Sequence, residues 1–173
     1  DNAGKNWTQA QVPVSTTITS LYFTDADHGW AVGHGGVIVH SKNGGISWEK
    51  QFDGNQANTL ILTQITQNLD SLKQAYKDAD ELEQEDLLYE IENIEYALSD
   101  AEFDAEMGAA NPLLDVWFEN EKHGYVVGAY GFFFVTHDGG LNWEFIAGRM
   151  DNVDRYHLNA IQKVTRGTLL IVG

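Results

Sequence analysis

SKNGGISW, residues 41–48, decides the fold, because the chain writes it again as THDGGLNW at 136–143 and opens on a clipped third copy, DNAGKNW, that ends at Trp7. Setting Trp7, Trp48 and Trp143 in register aligns Asn2, Asn43 and Asp138 five residues upstream and Gly4, Gly45 and Gly140 three upstream. Ser41 and Thr136 supply a hydroxyl at the head of the two complete copies. The similarity extends backwards: SLYFTDADHGWAVGHGGVIVHSKNGG (20–45) aligns without a gap to DVWFENEKHGYVVGAYGFFFVTHDGG (115–140). A partial copy, AIQKVTRGTLLIVG, runs over 160–173 and puts Gly173 in the place of Gly33 and Gly128.

Trp7 and Trp48 are 41 residues apart and Gly128 and Gly173 are 45 apart, whereas Trp48 and Trp143 are 95 apart, one period plus about 54 further residues. A period in the low forties built from short strands is the signature of propeller blades. Within a copy, ITSLYFTD, GWAVG, GVIVHS and SWEKQ are β-branched and aromatic runs separated by Asp-His-Gly, His-Gly-Gly and Asn-Gly-Gly, which predicts four strands per copy. Asn43-Gly44 and Asp138-Gly139 predict tight hairpins with positive φ at both positions. The Ser41 or Thr136 hydroxyl and the Asn43 or Asp138 side chain would bond to the turn's own backbone, with Trp48 or Trp143 covering it. The box therefore reads as a structural device: Asn2, Gly4, Trp7, Ser41, Asn43, Gly45, Trp48, Thr136, Asp138, Gly140 and Trp143 are expected to hold turns rather than a ligand. The expected fold is all-β, a partial β-propeller of about three four-stranded blades; because closed rings need about four to eight, the chain is expected to be part of a longer protein.

The three boxes resemble Asp-boxes, the hairpin signature of BNR-repeat proteins. The longer pattern, Asp25 or Asn120 followed three residues on by His-Gly, an aromatic residue, Val-Gly and a box, resembles the photosystem II stability/assembly factor family and its bacterial relatives. The resemblance covers everything except 53–110. It implies a propeller of about seven blades that is exported, to the periplasm or an equivalent compartment, and works as a non-enzymatic scaffold or assembly factor for a membrane or envelope complex. Its photosynthetic members dock partners through an arginine-rich surface; this chain has only Arg149, Arg155 and Arg166, so the photosystem itself is not carried over as the partner.

Between Gly54 and Pro112 the pattern changes. Glycine vanishes until Gly108, and Leu62, Ile65, Leu69, Leu72, Tyr76 and Ala79, then Leu87, Ile91, Ile94, Leu98 and Ala101, step by three and four. One helix of about 47 residues would run about 70 Å and strand the next repeat, so two antiparallel helices are expected, turning within 78–86 and capped by Gly108. The predicted organisation is 1–54 and 111–173 as repeats around a helical hairpin at 55–110. Residues 57–110 carry fourteen Asp and Glu against Lys73 and Lys77, a net −12 of the whole chain's −16. Two readings stand: a solvated face, or a docking arm for a basic or membrane-embedded partner, with Asp80, Glu81, Glu83 and Glu85 at its acidic tip.

There is no cysteine and no apolar run long enough for a membrane span. The acidity disfavours nucleic acid, which needs a basic face. His28 and His123 sit at one repeat position as turn residues, no zinc spacing exists, and no cofactor or metal is expected. The alternative function is a glycan-binding or sialidase-like glycoside-hydrolase propeller with its catalytic residues in other blades. The carboxylates available for it here, Asp25, Asp27, Asp115 and Glu119, are read as loop residues that make turns.

Overall fold

The computed structural model describes residues 4–173, apart from the Arg166 side chain, so Asn2 lies outside the described residues. The chain divides into two compact units, Asp1–Asp53 with Asn111–Gly173, and Gly54–Ala110.

The first unit holds two four-stranded antiparallel meanders and a two-stranded hairpin. The first meander is β1 (Ile18–Phe23), β2 (Gly29–Gly33), β3 (Ile38–Ser41) and β4 (Glu49–Phe52), in that order. The second repeats it as β5 (Leu113–Phe118), β6 (Gly124–Gly128), β7 (Phe133–Thr136) and β8 (Glu144–Phe145). The partial copy pairs as β9 (Ala160–Lys163) and β10 (Leu169–Val172). Four strands per complete copy is what the turn punctuation predicts. After the clipped copy, Gln11 makes an isolated parallel bridge to Ser47.

The copies agree in detail. In each, the first strand pair shifts register at one place, between Ile18 and Ser20 and between Leu113 and Asp115, the mark of a bulge. Gly33, Gly128 and Gly173 are glycine because the preceding segment runs against them: a Cβ would meet the carbonyl oxygens of Thr17, Pro112 and His157. The rings of Phe23 and Phe118 lie over Gly29 and Gly124. Trp48 and Trp143 then pack edge-on against those rings, at centroid distances of 5.9 and 6.2 Å. Between the sheets sits a continuous apolar core in which Trp30, Val32, Ile38, Leu113, Val126, Val127, Phe118 and Phe134 are all but inaccessible; each such side chain contributes roughly 1.5–3 kcal/mol by leaving water.

The second unit is two helices, α1 (Gly54–Asp78) and α2 (Glu81–Met107). They run antiparallel: Asn58 Nδ2 donates to the carbonyls of Asp104 and Gly108, and Lys73 Nζ lies 2.7 Å from Glu95. The predicted stripes meet. Leu69, Ile91 and Ala101 are buried, and the other eight predicted positions are half-buried. The turn falls at Ala79–Asp80, inside the expected window. Gly108 closes α2 at φ 85° with its N–H donated to Ala105 O.

Candidate interaction surface

Each box folds on itself as its residue types require. The Ser41 hydroxyl donates to Asn43 Oδ1 and accepts from Gly45 N at 2.9 Å, while Asn43 Oδ1 accepts from Ser47 N at 3.0 Å. In the second box, Thr136 Oγ1 donates to Asp138 Oδ1 and accepts from Gly140 N at 2.9 Å, and Asp138 takes Asn142 N at 2.9 Å. One expectation needs correcting: positive φ belongs to Gly44–Gly45 and Gly139–Gly140, not to Asn43 or Asp138. The Asx side chain is the hydrogen-bond hub and the two glycines supply the left-handed backbone. Trp48 Nε1 donates to Gly45 O at 3.0 Å, but Trp143 Nε1 is buried without a partner among the described residues. Gly4 repeats the left-handed backbone at φ 76°, with Trp7 against it, although Trp7 is 90 % exposed. Burial pushes the Asp138 carboxyl up, yet the bonds from Asn142 and Thr136 outweigh it and hold the group below the usual carboxylate range.

Of the four carboxylates weighed for catalysis, Asp25, Asp115 and Glu119 are bonded within the scaffold, while Asp27 joins the Asp25 turn through its backbone N–H. Asp25 Oδ1 accepts from Asp27 N and His28 N at 2.7 and 2.8 Å, and Asn120 does the same for Lys122 N and His123 N. These are Asx turns, and the two backbone bonds bring the Asp25 pKa down to about 2. Glu119 is bonded by Lys163 Nζ at 2.8 Å, which lowers its pKa. Asp25, His28 and Glu121 bring ligand-type atoms within 4.8 Å of one another, but all three are partly or fully exposed and the turn accounts for Asp25's placement. Asp115 corrects the sequence reading outright. It lies in β5, not in a loop, and its carboxylate accepts from Ser20 Oγ at 2.6 Å, from Ile161 N at 2.8 Å and from Val116 N at 2.9 Å. One side chain thus ties three successive repeats together.

A second link between repeats was not visible in the boxes. Trp30 of β2 is fully buried, stacked 3.7 Å from Phe118 on one side and 4.4 Å from His40 on the other. Its indole N–H donates to Gly139 O, in the box of the next repeat, at 3.1 Å, and Gln51 Nε2 donates to the same carbonyl at 3.0 Å. His40 is pressed into this contact. Burial first, then the charges of Lys42 and His28, push its pKa down to about 4, with Glu49 opposing. Since the unfolded chain takes up a proton at this residue near 6.5 and the folded chain only near 4, the unfolded state binds more protons in that window. Stability is therefore expected to fall as pH drops from 6.5 to 4, by at most about 3 kcal/mol. Denaturant midpoints measured across that range check this, and His40→Phe should flatten the dependence.

At the hairpin tip, Asp80 is the N-cap of α2: its Oδ1 accepts from Leu82 N and Glu83 N, both at 3.1 Å. Asp80 with Glu83 three residues on is the signal that marks the turn without Gly or Pro. Glu81 and Glu83 lie in the first helical turn, where negative charge suits the helix dipole, and Glu81, Glu83 and Glu85 are exposed. Asp80→Ala should cost about 1 kcal/mol of hairpin stability, read as a loss of helicity in the thermal melt.

Among the described residues no helix is long and apolar enough to cross a membrane. The profile of the family described as "Photosynthesis system II assembly factor YCF48" matches residues 1–72 and 95–173, leaving out the hairpin tip. A photosystem II assembly protein Ycf48 from Thermosynechococcus vestitus is 37 % identical over 43 residues, 25 % of this chain and 12 % of the relative. The structure is similar to that of YCF48 bound to D1 peptide, with a TM-score of 0.54 at 18 % identity over 94 % of this chain and 36 % of that one. It is also similar to YCF48 from Cyanidioschyzon merolae, with a TM-score of 0.53 at 17 % identity over 96 % and 37 %. The chain spans little more than a third of these solved relatives.

Proposed function

From the premise that the chain belongs to the photosynthesis system II assembly factor YCF48 family, we propose that it is the propeller portion of a non-enzymatic protein-binding factor that assists a membrane or cell-envelope complex. The two meanders and the β9–β10 hairpin are successive blades, two complete and one partial, of a ring of about seven. The hairpin at 55–110 is a domain inserted between two of them, and the protein works in the periplasm or an equivalent exported compartment. The family match is the observation that carries this reading. The geometry supports it: the boxes and the loop carboxylates Asp25 and Glu119 are bonded into turns and ion pairs, so the polar groups that recur serve the scaffold. A solved relative is YCF48 bound to D1 peptide, and the partner proposed here is likewise a protein segment.

The tip lies in the stretch the family profile leaves out, which makes Asp80, Glu81, Glu83 and Glu85 candidates for what is particular to this chain. Because Asp80 also caps α2, the test reverses Glu81, Glu83 and Glu85 to Lys and leaves Asp80 in place. Affinity capture from solubilised membranes should lose the partner on reversal while the helical signal persists; unchanged capture removes the tip from the binding surface. Turnover of a panel of sialyl and β-glucan substrates by the full-length protein should be absent, and sustained turnover would overturn the non-enzymatic reading.

A further inference from the structure

Helix α2 has two apolar faces. Leu87, Ile91, Ile94, Leu98 and Ala101 are covered in the hairpin. On the other side, Leu82, Tyr89, Tyr96 and Phe103 recur at every seventh residue and Met107 follows one turn later, with exposures of 80, 68, 76, 62 and 67 %. At about 100° per residue these five fall within about 60° of one another, opposite the covered set, and they run for about 38 Å. Scattered exposed apolar residues need no explanation; a row of five in one register does. Glu85, Asp86, Glu92 and Asp100 lie between and beside these residues, and α2 as a whole carries eleven carboxylates with no Lys, Arg or His.

We propose that this stripe is the docking site for a cationic amphipathic helix of a partner protein. A seven-residue repeat keeps one seam facing a helix laid alongside, and a helix recognised this way buries its apolar face while its own Lys and Arg meet the flanking carboxylates. The charge argues against the other occupants. A second copy of α2 would bring two acidic helices together, and a membrane surface is itself anionic, whereas helices that lie on membranes carry Lys and Arg. The inference rests on the protein-binding reading and narrows it to a surface and a class of partner.

The test titrates the full-length protein, at physiological salt, with a synthetic Leu/Lys peptide of about three heptads patterned as an amphipathic helix, beside a scrambled peptide of the same composition. The patterned peptide should bind at least about ten-fold more tightly. Tyr89→Ser with Tyr96→Ser should abolish that advantage without changing the circular dichroism, since both rings are exposed, and the Phe pair should restore it. Equal binding of the two peptides, or an unaffected Ser pair, would overturn the inference, as would sedimentation showing dimers or liposome binding that the Ser pair abolishes. If the Ser pair loses the peptide yet still captures the native membrane partner, this surface is wrong and the protein-binding reading stands. If the intact protein captures no membrane partner but discriminates the peptides, the surface stands and the assembly reading falls.

Discussion

Trp30→Ala is expected to destabilise the repeat unit by roughly 3–5 kcal/mol, the cost of deleting a large buried aromatic side chain. Against a total stability on the order of 5–15 kcal/mol, that brings the protein to the edge of unfolding. The loss has three sources here: the stack on Phe118 of the next repeat, the contact with His40, and the bond from the indole N–H to Gly139 O. Removing the ring leaves a cavity between two sheets that are each rigidly paired, so little can collapse into it. Trp7→Ala is the internal control. The same residue type, at a repeated box position but 90 % exposed, should change stability by less than about 0.5 kcal/mol. Denaturant melts of the two variants make the comparison, and a Trp30→Ala loss near that of Trp7→Ala would mean that the repeats are not locked through this contact.

Asp115→Ala is expected to cost about 2–4 kcal/mol, because the Ser20 hydroxyl and the Ile161 and Val116 amides lose a charged acceptor in a half-buried site, and bonds to charged groups are worth about 1.5–3 kcal/mol. The contrast with its neighbours is what distinguishes a hub from an ordinary bond. Ser20→Ala removes one donor and should cost about 0.5–1.5 kcal/mol, and in an Asp115→Ala background it should cost almost nothing further. Asp115→Asn retains one carbonyl oxygen and should fall between wild type and Ala. A double-mutant cycle reads the coupling directly; additive losses would show that Ser20 and Asp115 do not act through their 2.6 Å bond.

These two residues also show where sequence reading stops. The boxes, the four strands per copy, the helical stripes and the window of the helical turn are legible because each rests on local chemistry repeated in register: hydroxyl, Asx, glycine and tryptophan at fixed offsets, or apolar residues at helical spacing. Trp30 aligns with Tyr125, and Asp115 aligns with Ser20 and Ala160. A comparison that looks for identity between copies passes over them, and their work lies between copies. The same blindness misplaced Asp115 in a loop. Asn-Gly as a hairpin pair places the left-handed backbone one residue early, whereas here the side chain of Asn43 is occupied as an acceptor and donor and the two glycines after it take the positive φ. The outer stripe of α2 is also written in the sequence, since Leu82, Tyr89, Tyr96 and Phe103 are spaced by seven, but the three-and-four spacing of Leu87, Ile91, Ile94 and Leu98 is the stronger periodic signal and marks only the covered face.

The most direct test of a protein-binding role is affinity capture by the tagged full-length protein from solubilised membranes of its own source, beside a version with residues 55–110 replaced by a short Gly/Ser linker. The expected result is that the intact protein retains a membrane complex and the hairpin-deleted version loses it, with the repeat unit still folded. Retention of nothing by either version would contradict the protein-binding role itself.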